Sequence, residues 1–315
     1  MKIFFNRVPR HEPYGGGNQF LVRMVEMLRD RGHNVVFHLE PEIDIIFMID
    51  PRPGDIGYSV EHISEYKRIF PKTKILHRVN ECDARKSTNF MDDLLVNSMK
   101  KADHVVFISR WLQDYFENLG FNGNSSVVYN GCDLRNCGPE ESHTLADPIR
   151  LVTHHWSDNY MKGFDIYVEI DKFLIKNPGS FDFTYIGRYW NGYTPQSTKV
   201  ISPKSGRDLG DELKKHDVYV TASRNEPCGM HHIEGAASGL PVLYHSETGG
   251  IKELCQKHGI EFSNFDEFLA GLDRVKNNYS SYRKMIDVPS LDINSCCDKY
   301  IDIIEKEFAT SSFKC

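Results

Sequence analysis

Residues 221–242 read TASRNEPCGMHHIEGAASGLPV. The strand-like run at 218–223 delivers Glu226 into a loop. A glycine-bearing turn, Cys228–Gly229–Met230, then opens a short helix over 229–238, and that helix carries Glu234. Gly239 stops the helix before Pro241 and a second apolar run. The two acids stand eight positions apart. One is held in the loop and the other sits about one turn into the helix. A helix amino end presents unpaired N–H groups and positive dipole to an anion. Two carboxylates beside such a cradle suit a ligand that is half phosphate and half polyol, as a nucleotide-sugar is.

Outward from this stretch, strand-like and helix-like runs alternate along the chain. Strands are expected at 3–6, 35–39, 43–49, 74–79, 104–109 and 126–130, with helices at 18–31, 89–101 and 110–119. Residues 131–148 are rich in Gly, Pro, Cys and acids without a period, and are expected to be a linker. The alternation restarts with strands at 149–155, 181–186, 218–223 and 242–245. Helices are expected at 164–176, 209–215, 229–238, 251–258, 265–276 and 296–308. Such alternation signals parallel sheets with helices on both faces. The reading is α/β, with two Rossmann-like doubly wound domains. Ligands of such sheets sit outside the carboxyl ends of the strands, so the loops there are where chemistry is sought.

Composition excludes several classes. At 315 residues the chain is long enough for two domains. A net charge of −6 argues against nonspecific duplex binding, which needs a basic field. Arg85–Lys86 and Lys100–Lys101 read as solvated faces. Eight cysteines without a Cys-x-x-Cys pair are too few for a disulfide scaffold and have no zinc-site spacing, so reduced thiols in a cytoplasmic protein are expected. MKIFFNRV is too short an apolar run for a signal peptide, and no stretch approaches a membrane span. Peripheral membrane contact stays open. None of the 14 histidines has metal-site spacing with Cys or acid partners, so no metal is expected.

Three further places carry polar or glycine-rich signals at element ends. Tyr14–Gly15–Gly16–Gly17–Asn18 is expected as a loop between the first strand and first helix, where glycines let backbone approach phosphate. It is not Gly-x-Gly-x-x-Gly, so a dinucleotide fingerprint is not supported. Lys162–Gly163 starts a helix after the strand at 149–155, and a lysine there can meet a diphosphate. His77–Arg78–Val79–Asn80–Glu81–Cys82–Asp83 crowds the end of a buried strand.

The 221–242 stretch resembles the donor-site signature of retaining GT-B glycosyltransferases of family four (glycosyl transferases group 1). That signature runs Pro-Ser-x-x-Glu-Pro-x-Gly, then a second Glu, then Ala-x-x-x-Gly-x-Pro-Val and a later Gly-Gly. Here the elements are Ala222–Ser223–Arg224–Asn225–Glu226–Pro227–Cys228–Gly229, Glu234, Ala236, Gly239–Leu240–Pro241–Val242 and Gly249–Gly250. Ala222 stands where proline is common.

The resemblance implies a GT-B fold whose two domains face a cleft. Residues 1–147 form the acceptor side and 148–291 the nucleotide-sugar donor side, and a C-terminal helix in about 292–315 packs back on the first domain. It implies transfer of a sugar, with retention, from a nucleotide-diphosphate sugar to a glycan, lipid or small-molecule acceptor. No metal or other cofactor takes part. Catalytic roles fall to Lys162, Glu226 and His77. Gly15, Gly16 and Gly17, with Lys162, Glu226, Gly229, Met230, His231 and Glu234, bind the donor. Asn80, Asp83, His155, Arg188 and Arg224 are further contacts to sugar or acceptor. The family's diphosphate arginine is missing, with His155 or Trp156 near its place. The rival readings are a degenerate GT-B protein that binds nucleotide or glycan without transfer, and a GT-B nucleotide-sugar epimerase. The base, sugar, acceptor and oligomeric state are not legible.

Overall fold

The computed structural model describes residues 1–10, 15–54, 57–140 and 142–308. The chain divides into two compact units, Met1–Tyr129 with Asn294–Cys315, and Asn130–Ile293. No helix among the described residues is long and apolar enough to cross a membrane.

In the first unit β1 (Lys2–Phe5), β2 (Asn34–Val36), β3 (Ile45–Met48), β4 (Lys74–Val79), β5 (His104–Phe107) and β6 (Ser125–Val127) form one parallel sheet in the order β2-β1-β3-β4-β5-β6. Strands β3 and β5 are buried along their whole length, as parallel strands covered on both faces are. The connecting helices are α1 (Gly15–Asp30), α2 (Val60–Ile69), α3 (Asp83–Lys86), α4 (Met91–Met99) and α5 (Arg110–Asn118). Helix α5 starts where Ser109 accepts the Leu112 N–H at 3.2 Å as its N-cap.

The expected glycine loop is corrected by the structure. Gly15, Gly16 and Gly17 are the first turn of α1 itself, and Tyr14 lies outside the described residues. Three glycines weaken a helix start by up to about 1 kcal/mol each against alanine, so helix formation is not their reason for being there.

The second unit holds α6 (Leu134–Cys137), β7 (Arg150–His155), α7 (Phe164–Lys176), β8 (Asp182–Gly187), β9 (Lys199–Ile201), α8 (Gly206–Leu213), β10 (Val218–Thr221), α9 (Met230–Ala237), β11 (Val242–His245), α10 (Ile251–Cys255), β12 (Gly259–Phe262), α11 (Phe265–Asn277) and α12 (Tyr279–Lys284). Its parallel sheet runs β12-β11-β10-β7-β8-β9. Renumbered within the unit this is the 3-2-1-4-5-6 order of dinucleotide-binding sheets, with the switch point between β7 and β10. Helix α7 buries Phe164, Ile166, Tyr167, Ile170 and Leu174 at helical spacing against Phe183 and Tyr185 of β8, and ends before Pro178–Gly179. The edge strands β9 and β12 are only three and four residues long, and neither was read from the sequence.

Residues 131–148 are not a linker. The unit boundary falls between Tyr129 and Asn130, and the segment packs within the second unit. Cys132 exchanges backbone hydrogen bonds with Leu291 and Ile293 at 2.8 and 2.9 Å, and His143 Nε2 lies 2.8 Å from the buried Asp217. Irregular composition marked the absence of a period, not of packing. Gly210 of α8 approaches α6 so closely that a Cβ would run into the Asn136 carbonyl. Gly210→Ala is therefore expected to destabilise by about 1–3 kcal/mol. The urea midpoint reads this, and an unchanged midpoint would mean that α6 and α8 do not approach as described.

The C-terminal helix α13 (Ile293–Ile303) belongs, from Asn294 on, with the first unit. There Tyr300 stacks near Phe20 and Phe47, with ring centroids 4.9 and 5.7 Å away. The seven described cysteines are buried and none forms a disulfide.

Candidate functional site

The site is built at the switch point of the second unit. Strand β7 ends in His154–His155, and a 3-10 turn at Tyr160–Lys162 follows, capped where Asn159 accepts the Met161 N–H at 2.8 Å. Gly163 sits at φ +94°, and a Cβ there would collide with Ala222. Only glycine lets the start of α7 press against the loop that follows β10. The Arg224 N–H donates to the Met161 carbonyl at 2.8 Å, tying the two loops together.

Glu226 is fixed by its backbone before its side chain does anything. Its N–H donates to Thr248 at 3.0 Å, its carbonyl accepts from Gly250 at 3.0 Å, and Asn225 before it takes φ +49°. This bridge to Gly249 explains the later Gly-Gly, since Gly249 itself needs φ +75°. Glu226 is buried, and its carboxylate meets Lys162 Nζ at 2.5 Å. Sixty-four residues separate the two in sequence. Gly229 caps α9, where a Cβ would collide with the His231 ring, and Met230 is the first helical residue. Asn130 donates to the Cys228 carbonyl at 2.6 Å and holds this turn. Glu234 follows on the same helix, with His154 Nε2 2.9 Å from its Oε2.

A cluster of imidazoles floors the site. His155 and His231 have ring centroids 4.7 Å apart, and His231 and His232 are 5.4 Å apart. His155 Nε2 is 2.9 Å from the Tyr167 hydroxyl, which accepts the Ala222 N–H, and His231 Nε2 is 3.0 Å from Thr221 Oγ1. Burial first, and then neighbouring positive groups including Lys162, hold His155 and His231 well below the usual imidazole range. Both are neutral at pH 7 and act as hydrogen-bonding groups, not cations.

The other expected residues divide. Arg224 is committed to Asp165 at 2.7 Å and Glu247 at 3.1 Å, so it braces loops. Arg188 is exposed and stacks over the Trp156 ring at 4.6 Å. In the first unit Asn80 lies beside Gly17, its Nδ2 3.7 Å from where a Cβ would stand. Two expected residues are corrected. His77 is fully buried in β4, with Nδ1 3.1 Å from the Met48 carbonyl and Nε2 2.9 Å from Ser98, so no ring nitrogen is left for a substrate. The Asp83 carboxylate accepts from Thr88 Oγ1 and from the N–H groups of Phe90, Met91 and Asp92, which makes it a loop and helix cap. Sequence reasoning missed His154 and Tyr219. The one available signal was the position of His154 at a strand's carboxyl end.

Among the described residues no group of three or more His, Cys, Asp or Glu side chains has metal-holding geometry. A family model described as "Glycosyl transferases group 1" matches residues 193–288. A probable sucrose-phosphate synthase from Thermosipho melanesiensis is 29% identical over 116 residues, 34% of this chain and 27% of that protein. An uncharacterized glycosyltransferase from Haemophilus influenzae is 25% identical over 142 residues, 40% of this chain and 39% of that protein. The matched stretches thus span well under half the length of either curated relative.

Among solved structures, sucrose-phosphate synthase from Thermosynechococcus elongatus superposes with a TM-score of 0.74 at 13% identity, over 98% of this chain and 99% of that one. HepE from Anabaena, in complex with UDP and glucose, gives 0.72 at 13% identity, over 97% and 99%. The family match lies within the unit that carries the acid pair, and the fold likeness runs through both units: this chain has the GT-B fold, and its second unit carries a stretch that matches glycosyl transferases group 1.

Proposed function

We propose that this protein is a retaining glycosyltransferase whose second unit binds a nucleotide-diphosphate sugar. The carrying observation is the meeting of Lys162 and Glu226 at 2.5 Å beside the α9 amino end, at the sheet's switch point. In this reading Glu234 accepts hydrogen bonds from ribose hydroxyls and Glu226 from hydroxyls of the sugar. The N–H groups at Gly229–Met230 cradle the diphosphate. Breaking the anomeric bond leaves an oxocarbenium-like sugar and a diphosphate anion, and Lys162 meets the charge that builds on the anion. Fixed groups of this kind contribute roughly 3–4 kcal/mol to a transition state in a dry site. Protein groups thus do the work that a divalent metal would otherwise do. The acceptor proton passes to the departing phosphate oxygen on the same face of the sugar, which leaves the anomeric configuration unchanged.

HepE holds UDP, so UDP is the first nucleotide to try. Melting of the wild type and of Glu234→Ala with UDP, GDP and ADP tests the donor site. Ligand at about a hundred times its dissociation constant adds roughly 2.7 kcal/mol of stability. Stabilisation by one nucleotide, lost in Glu234→Ala, is the expected result, and the absence of any shift would sink the reading. Incubating the matching nucleotide-sugar without acceptor separates transfer from epimerisation. NMR of the product's anomeric centre tests retention.

A further inference from the structure

The two histidines that end β7 engage different partners, as neighbours on a strand do. His155 turns to Tyr167, while His154 reaches Glu234. His154 Nδ1 lies 3.1 Å from the Tyr219 hydroxyl, and the same hydroxyl oxygen accepts the His154 backbone N–H at 3.1 Å. The Tyr219 proton has two acceptors in reach, Nδ1 at 3.1 Å and the His154 carbonyl at 3.4 Å, and Nδ1 is the nearer. An ionised carboxylate only accepts, so the ring proton sits on Nε2 and is donated to Glu234 Oε2 at 2.9 Å. The carboxylate end sets the tautomer: with Nε2 donating, a neutral ring leaves Nδ1 to accept from Tyr219. Tyr219 cannot drift: it is fully buried in β10, and Gly235 of α9 packs so closely on its ring that a Cβ would not fit.

We infer that His154 is a positioning residue for Glu234, and that the chain Tyr219–His154–Glu234 presents the carboxylate to the vicinal hydroxyls of a ribonucleoside diphosphate. This rests on the donor-site reading above. A glutamate on a helix has three rotatable bonds and samples several rotamers unless something holds it. The His154 N–H takes one lobe of Oε2 and leaves Oε1 to accept from a diol. The hydroxyl partner on the imidazole keeps the ring from rotating away. Outer partners of this kind orient a binding group without touching the ligand.

The test is isothermal titration of UDP, GDP and ADP against their 2′,3′-dideoxy counterparts, in the wild type, Glu234→Ala, Tyr219→Phe, His154→Leu and His154→Gln. The readout is the ratio of ribo to dideoxy affinity. A packing defect would leave it alone, because both ligands share base and diphosphate. The ratio is expected to fall about tenfold in Glu234→Ala and His154→Leu and about threefold in Tyr219→Phe, the scale of one hydrogen bond lost or loosened. His154→Gln retains most of it, since an amide N–H can still donate to Oε2. A ratio unchanged in Tyr219→Phe and His154→Leu but lost in Glu234→Ala overturns the positioning role and leaves the donor site standing. A ratio unchanged in Glu234→Ala as well, or no nucleotide binding at all, overturns both. Tyr219→Phe keeps the ring's packing and decides the matter if the His154 variants do not fold.

Discussion

Lys162→Ala is expected to lower sugar transfer by at least about a hundredfold and to destabilise the protein at the same time. The first effect follows from losing the charge beside the leaving diphosphate. The second follows from the ion pair. A lysine in a loop looks expendable in the sequence, but the Lys162 side chain is 15% exposed and its partner Glu226 is 3% exposed. Removing one member of such a pair strands a buried charge, at a cost of roughly 3–5 kcal/mol. The two effects separate in a cycle. Lys162→Met with Glu226→Gln removes both charges, keeps the volume, and is expected to regain most of the lost stability while remaining inactive. Urea unfolding and steady-state transfer on the wild type, Lys162→Met, Glu226→Gln and the double variant read this. A Lys162→Ala protein with near-normal turnover would remove Lys162 from the mechanism. A double variant no more stable than the single one would mean that the pair does not contribute as its burial implies.

Stability is expected to fall steeply as pH drops from 6.5 toward 4. Burial pushes the His77 imidazole down to about 4, His258 to about 4 and His232 to about 3. For His77 the Met48 carbonyl and the nearby Asp50 charge pull the other way without reversing this. The unfolded chain takes up these protons near pH 6.5, before the folded one does. The stabilisation is therefore whole above pH 6.5 and is lost as pH falls through the depressed folded values. At pH 4.5 the loss is roughly 2–3 kcal/mol for each fully buried ring. Carboxylates act in the same direction lower down. Burial pushes Glu212 up, but Lys204 and Lys215 more than reverse this and hold it at about 2. Chemical unfolding at pH 7.5, 6.0 and 4.5 measures the slope, and His77→Gln should flatten part of it. A stability that is level from pH 7.5 to 5 would contradict the burial of these rings.

What could be read from the chain alone follows range of interaction. The signature around Glu226 and Glu234 is contiguous, and strand, turn, helix and exit are each written in local residues: Gly229 before the helix, Gly239 after it, Pro241 beyond. Gly163 and Gly249 were legible as motif letters, and the structure supplies their cause in a positive φ and a close approach. Asp83 was misplaced because its cap partners lie in the following loop and helix, and His77 because of its strand. Strand β4 is buried along nearly its whole length, so no alternation distinguishes a residue at a cleft from one in the core. Register then sets His77 opposite Met48 and under Ser98.

By itself the sequence determined the alternating α/β class, the family resemblance and the acid pair, because period, turn chemistry and a contiguous motif act over a few residues. Only the tertiary structure decided which charges meet. It joined Lys162 to Glu226 across 64 residues, committed Arg224 to loop bracing, and turned His154 rather than His155 toward Glu234. Those outcomes depend on strand order and register, which bring distant strand ends together and are carried by no single segment.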